Sequence, residues 1–237
     1  MAHVLLGGGG SQVFGIFVAR PNRFVLQVQL SNGEVVLAHL ADRGRLIETL
    51  IPGVPICLVS RPGAKKVTQW QAVAAQRTDG SWASLDTLLP NRLMYAVLQE
   101  RLIPTLLPYT AVRREVQIGS SRFDFVLEGG PTPTVLEVKS AGRLVGSQAL
   151  VPDAPSTRAT RHVRELIELK HQGWRSVLVV VGQGAVTQVS IDGGIDPDLA
   201  EMVCVADQSG VDLIGISSRF DIDGLYFKEI VPLTIFM

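Results

Sequence analysis

Over roughly the first 85 residues, apolar and polar positions alternate in short runs broken by turn residues. VFGIFVA (13–19) and RFVLQVQL (23–30) are separated by Pro21-Asn22, and Ser31-Asn32-Gly33 follows the second run. Asn-Gly is a strong hairpin signal because both residues tolerate positive φ. VVLAHL, VPICLVS and VTQWQAVAA continue the series. Several short strands at this spacing predict a small β-barrel.

The pattern changes near Leu85. Pro90-Asn91 precedes RLMYAVLQERLI, whose apolar residues recur at helical spacing, with Asn91 expected as the N-cap. Strands are expected near 112–118, 122–128 and 134–139, then a helix over TRATRHVRELIELKHQG with Gly173 as its stop. RSVLVVV reads as a buried strand, Asp196-Pro197-Asp198 as a helix start, GVDLIGIS as a strand and Asp223-Gly224 as a hairpin turn. This half is mixed α/β, which divides the chain into 1–85 and 86–237. There is no internal repeat, and strands rather than a helix are expected after Gly7 to Gly10, which argues against a dinucleotide loop.

Composition narrows the class. With 237 residues, 46% hydrophobic and 19% charged, the chain can bury a substantial core and is not a disordered tail. The formal net charge is zero, so a nucleic-acid partner has to meet a local basic patch. Two cysteines, Cys57 and Cys204, are too few for a secreted disulfide framework or a zinc site without other ligands. No apolar run approaches the roughly 20 residues that span a bilayer, and MAHVLLGGGGS lacks the features of a signal peptide. A cytoplasmic protein with reduced thiols is expected.

The chemistry concentrates in SRFDFVLEGGPTPTVLEVKS. Asp124 alternates with Phe123 and Phe125 and so lies on the opposite strand face, while Glu137 and Lys139, two apart, share a face. If EGGPTP closes a hairpin about Gly130 and Pro131, Asp124 falls opposite Glu137. Carboxylates so placed lie on the order of 5 Å apart and repel, and a cation between them removes the conflict. Mg²⁺ suits this pair, because it takes oxygen ligands and commonly uses one or two carboxylates plus phosphate; Mn²⁺ is the alternative. Lys139 could orient an attacking water or stabilise charge on a phosphate. The bland alternative is an exposed hairpin with ordinary cross-strand charges.

Two further groups qualify. VPDAPSTRATRH puts Asp153 in a loop and Arg158, Arg161 and His162 at a helix start, with Arg158 and His162 one turn apart; such a start can receive a phosphate. Asp153 and Thr157 could equally be turn and capping residues, and the arginines a solvated face. Glu115 is either an additional carboxylate for the metal or a partner for Arg113 or Arg114.

The segments NRF (22–24), HLADRGRL (39–46), PGVPICL (52–58), SRFDF (121–125), LEVKS (136–140), VPDAPSTRATRH (151–162) and GVDLIGI (210–216) resemble, in order and spacing, the sugar fermentation stimulation proteins. The resemblance spans nearly the whole chain. It implies an N-terminal OB-fold barrel followed by a PD-(D/E)xK, restriction-endonuclease-like α/β domain with a mixed central sheet, DNA binding, and a match of Asp124, Glu137 and Lys139 to the nuclease triad. Two departures stand out: Ala41-Asp42-Arg43-Gly44-Arg45 replaces the usual Asn-x-Gly-Arg, and Arg161-His162 the usual Lys-His. In an OB-fold, Arg20, Arg23, His39, Arg43 and Arg45 could line a nucleic-acid groove, with Phe24 or Trp70 as a stacking surface or as core. Three functions stay open: a DNA-binding protein with a nuclease-like centre, linked to sugar metabolism; an active Mg²⁺-dependent nuclease; and an OB-type binder of a small phosphorylated ligand.

Overall fold

Strand formation in the first half follows the period-two burial of its apolar residues. The computed structural model describes residues 2–42, 44, 46, 47, 49–61 and 68–236. β1 (His3–Leu5) and a 3-10 turn over Leu6–Gly9 precede β2 (Gln12–Asn22), so a strand and no helix follows the glycine run. Then come β3 (Val25–Leu30), β4 (Val35–Leu40), β5 (Pro55–Ser60), β6 (Trp70–Gln76) and β7 (Trp82–Ser84). In β3, Leu26 and Val28 point into the core while Gln27 and Gln29 point away. The strand order is β4-β3-β2-β5-β6-β7, and β4 also pairs in parallel with β6, which closes five strands into an OB-like barrel. Phe17, Leu26, Val28, Ala38, Leu40, Ile56 and Leu58 fill it. Gly33, with φ +84°, turns the β3–β4 hairpin as the Asn-Gly signal predicts.

The second half supplies α1 (Leu89–Gln99), β8 (Ala111–Ile118), β9 (Ser121–Glu128), β10 (Thr134–Ala141), β11 (Arg143–Val145), β12 (Gln148–Val151), α2 (Thr157–His171), β13 (Arg175–Gly182), β14 (Gln188–Asp192), α3 (Pro197–Gln208), β15 (Asp212–Asp221), β16 (Gly224–Val231) and β17 (Leu233–Phe236). Its large sheet runs β1-β16-β15-β13-β10-β9-β8. β8, β9 and β10 are antiparallel, whereas β10, β13 and β15 are parallel, so the sheet is mixed. Val177 to Val181 of β13 are all buried, the uninterrupted apolar run that a central parallel strand requires. Val163, Leu166 and Ile167 of α2 and Leu199, Ala200 and Val203 of α3 share its core with Val135, Leu178 and Val180. A smaller sheet, β11-β12-β14-β17, joins segments far apart in sequence.

The chain divides into two compact units, one of Met1–His3 with Pro90–Arg219 and Tyr226–Met237, the other of Val4–Leu89 with Phe220–Leu225. In the second of these units the Leu6 amide donates to the Asp223 carbonyl at 2.9 Å and Gln12 Nε2 to the Ile222 carbonyl at 2.7 Å. Helix ends follow local chemistry. Asp196 caps α3 by accepting from the Leu199 amide at 3.1 Å, and Gly173, at φ +90°, stops α2. Two caps differ from the sequence reading. Ser156, not Thr157, caps α2, accepting from the Ala159 amide at 3.2 Å. Asn91 lies inside α1, which starts at Leu89, and its side chain turns to Asp124 instead.

Candidate metal centre

The site is built on the β9–β10 hairpin. Gly129 has φ +81°, and a Cβ there would sit 1.9 Å from Thr110 Oγ1; one on Gly130 would sit 2.3 Å from the Pro108 carbonyl oxygen. Only glycine fits this turn. Leu127 pairs with Thr134, Val126 with Val135 and Phe125 with Leu136, the register that is symmetric about Gly130 and Pro131. Asp124 and Glu137 occupy the next position. There the backbone ladder gives way to a side chain: the Val138 amide donates to Asp124 Oδ2 at 2.7 Å. On the other flank, the β8–β9 pairing steps from Arg114–Phe125 to Val116–Phe123, passing over Glu115, whose φ is +52°. Asp124 thus lies at a break in both neighbouring ladders, a common setting for functional side chains.

Asp124 Oδ1 accepts a hydrogen bond from Asn91 Nδ2 of α1 at 2.5 Å, so both of its oxygens are oriented by fixed donors. Glu137 is buried. Its Oε1 lies 2.6 Å from Lys139 Nζ and 2.6 Å from His162 Nδ1 of α2, while its Oε2 is buried with no hydrogen-bond partner. Lys139 keeps 22% of its side chain exposed, so solvent or a ligand can reach its end of the site.

Burial, then the neighbouring charge of Glu137, raises the Asp124 pKa to about 6. The amide of Val138, the charge of Lys139 and the Asn91 amide oppose that rise without cancelling it. Burial also disfavours ionised Glu137, but the hydrogen bond from His162 and the charge and hydrogen bond of Lys139 outweigh it, and its pKa is lowered. Glu137 therefore ionises first, and Asp124 bears the cost of a second negative charge.

This donor set fits a hard divalent cation. Glu137 Oε2 is an unsatisfied buried oxygen, and Asp124 is a second carboxylate that gains most from a nearby positive charge. Two carboxylates suffice for an ion that retains waters. Among the described residues, no group of three or more His, Cys, Asp or Glu side chains is arranged to hold a metal.

Of the other sequence candidates, His162 reaches the centre. Glu115 is exposed and pairs with Arg122 Nε at 2.9 Å, not with Arg113, which pairs with Glu128, nor with Arg114, which lies over the Tyr95 ring. Asp153 is exposed in the loop before α2. Arg158 and Arg161 are exposed on α2, whereas His162 is buried against Glu137 and Phe123; the helix sends it to the centre and not to a surface with Arg158. The Ser156 amide at the start of α2 already donates to Asp196 Oδ2 at 2.8 Å, so a carboxylate stands where a phosphate was expected. Arg23 is exposed over the Phe24 ring, Arg20 is spent on the carbonyls of Arg23 and Gly44, and Trp70 packs on the barrel core. Arg43 and Arg45 lie outside the described residues. Sequence reasoning singled out Asn91 as a cap and His162 as a phosphate contact but missed them as partners of Asp124 and Glu137.

Two protein families match successive stretches of the chain. Residues 18–85 match the family described as SfsA N-terminal OB domain, and residues 88–224 the one described as Sugar fermentation stimulation protein RE domain. A sugar fermentation stimulation protein homolog of Chloroflexus aurantiacus is 38% identical over 230 residues, covering 97% of this chain and 88% of the relative. One from Moorella thermoacetica is 37% identical over 223 residues, covering 92% and 94%. The solved structure of Pyrococcus furiosus SfsA in complex with Ca²⁺ aligns with a TM-score of 0.86 at 27% identity, covering 98% of this chain and 99% of that one.

Proposed function

The chain belongs to the sugar fermentation stimulation protein family, and from that membership we propose that it is a DNA-binding protein whose Asp124, Glu137 and Lys139 form a Mg²⁺-dependent nuclease-like centre. The observation that carries this reading is the buried, unpartnered Oε2 of Glu137 beside a carboxylate whose pKa is raised to about 6. Ca²⁺ in the complex with Pyrococcus furiosus SfsA supports a divalent ion in the family. Residues 1–85 would bind the nucleic acid, as the OB domain suggests, and residues 86–237 would carry the centre. Arg23, Arg43, Arg45, Arg158 and Arg161 remain the cationic contacts of this reading. A cytoplasmic location accords with Cys57 and Cys204, both free thiols. Among the described residues no helix is long and apolar enough to cross a membrane.

In this reading, Glu137 Oε2 and the Asp124 carboxylate hold the cation. A bound Mg²⁺ supplies Lewis acidity at a phosphate oxygen and makes a bound water easier to deprotonate. Lys139 Nζ, 2.6 Å from Glu137 Oε1, orients a water or meets charge on the phosphate. Asn91 and the Val138 amide fix Asp124, which spares reorganisation when phosphate arrives.

Binding without cleavage is favoured by one observation: Lys139 Nζ, the group that would meet charge on the phosphate, is held on Glu137 Oε1 at 2.6 Å. Incubation with labelled single- and double-stranded DNA and RNA under Mg²⁺, Mn²⁺ or EDTA separates the readings. Cleavage that needs metal supports the nuclease, and binding alone the DNA-binding protein. Calorimetric titration should find metal affinity lost in Asp124→Ala and Glu137→Ala but kept in Lys139→Ala, which loses turnover. Equal metal affinity in all four proteins would overturn the assignment.

A further inference from the structure

The two donors that reach Glu137 converge on one oxygen. His162 Nδ1 and Lys139 Nζ both lie 2.6 Å from Oε1, and neither bonds Oε2. A carboxylate held this way has one oxygen to offer. Turning both oxygens onto a single ion would break two short hydrogen bonds at a buried site, where replacements from water are scarce. Asp124 is held differently, with one donor on each oxygen, Asn91 Nδ2 on Oδ1 and the Val138 amide on Oδ2, which fixes the plane of its carboxylate.

We propose that His162 is a positioning residue that, with Lys139, fixes Glu137 as a one-oxygen ligand and so biases the centre towards Mg²⁺ over Ca²⁺. The inference rests on the metal reading above. Its physical basis is the difference in coordination between the ions. Mg²⁺ keeps a tight octahedron and several waters and takes one oxygen from each of one or two carboxylates, while Ca²⁺ accepts more oxygens at longer range and readily takes both oxygens of a carboxylate. The bias lies in the ratio of the two affinities and leaves Ca²⁺ able to bind.

Of the two donors, His162 is the rigid one. It is buried on α2 between Thr160 and Val163, which are also buried, with the Phe123 ring 6.1 Å away. Lys139 is a flexible side chain, partly exposed, on the same strand as Glu137. A histidine that served only to satisfy a buried carboxylate would lower both affinities together when removed, because it would loosen Glu137 without changing which oxygen is offered.

Separate calorimetric titrations of the full chain with Mg²⁺ and Ca²⁺ distinguish these cases. His162→Leu removes the rigid one of the two donors on Oε1 and should lower the Mg²⁺-to-Ca²⁺ affinity ratio by about tenfold, the scale of outer partners of metal ligands. His162→Gln, which retains an N–H donor, should recover part of it. Lys139→Met removes the second donor on the same oxygen and should move the ratio the same way by less, through tighter Ca²⁺ binding with Mg²⁺ affinity kept, which leaves a readout if His162→Leu does not fold by circular dichroism. An unchanged ratio in the folded variants, with both ions still bound, overturns the proposal. Failure of wild type to bind either ion overturns the metal reading instead.

Discussion

Asp124 is where the chemistry of single residues is most exposed to measurement. Its pKa is raised to about 6 by burial and by Glu137, so in the folded, metal-free chain it takes up a proton more readily than in the unfolded one. The ionised form therefore opposes folding. That opposition is complete above about pH 6 and disappears as the pH falls below the ordinary carboxylate value of 3.8. Asp124→Asn removes it and keeps an acceptor for the Val138 amide, with Asn91 free to rotate its own amide to match. In EDTA at pH 7.5 the variant should be more stable than wild type by about 3 kcal/mol, and near pH 3.5 by almost nothing. Denaturant unfolding at the two pH values tests this; an equal increment at both would mean that charge is not the cause. Glu137 runs the other way, because its lowered pKa makes its ionised form stabilising above its ordinary range, a contribution lost on acidification. At this scale the sequence reading reached the three strand residues, whose relation follows from alternation and a local turn. Asn91 and His162 stayed illegible because they meet their partners across 33 and 25 residues, through the packing of helices on the sheet.

At the level of elements, two glycine turns with nearly equal φ make a controlled pair. Gly33 has φ +84° with open space around an added Cβ, whereas Gly129 has φ +81° and would drive its Cβ to 1.9 Å from Thr110 Oγ1. Gly33→Ala bears the cost of a left-handed backbone alone, more than ~1 kcal/mol. Gly129→Ala bears that cost plus the displacement of Thr110, and it shifts the hairpin that sets Asp124 beside Glu137. The larger loss of stability is expected at Gly129, together with weaker metal binding that Gly33→Ala does not cause. Equal unfolding free energies for the two variants would contradict the turn's role in positioning. Hairpins, the Asp196 cap and the Gly173 stop were legible because a few adjacent residues decide them. β7, β11, β12, β14 and β17, each three to five residues long, were not, since parallel partners such as β14 and β17 declare themselves only through tertiary pairing.

For the molecule as a whole, the mixed α/β order and the barrel were readable, whereas the return of the chain to the barrel near its end was not. Phe220–Leu225 clusters with Val4–Leu89, and its carbonyls at Ile222 and Asp223 take the Gln12 side chain and the Leu6 amide. A fragment ending at Leu89 loses both bonds. Hydrogen exchange should find the Leu6 amide less protected in that fragment than in the full chain, and equal protection would show that the returning segment contributes nothing there.

That returning segment also sets an order of events on the ribosome. About 130 residues separate Leu89 from Phe220, which at ~5–20 residues per second is roughly 7–26 s of synthesis. Through that interval Val4–Leu89 has been made while the carbonyls of Ile222 and Asp223, which accept from Gln12 and Leu6, have not. A chain truncated before residue 220 lacks residues of both units.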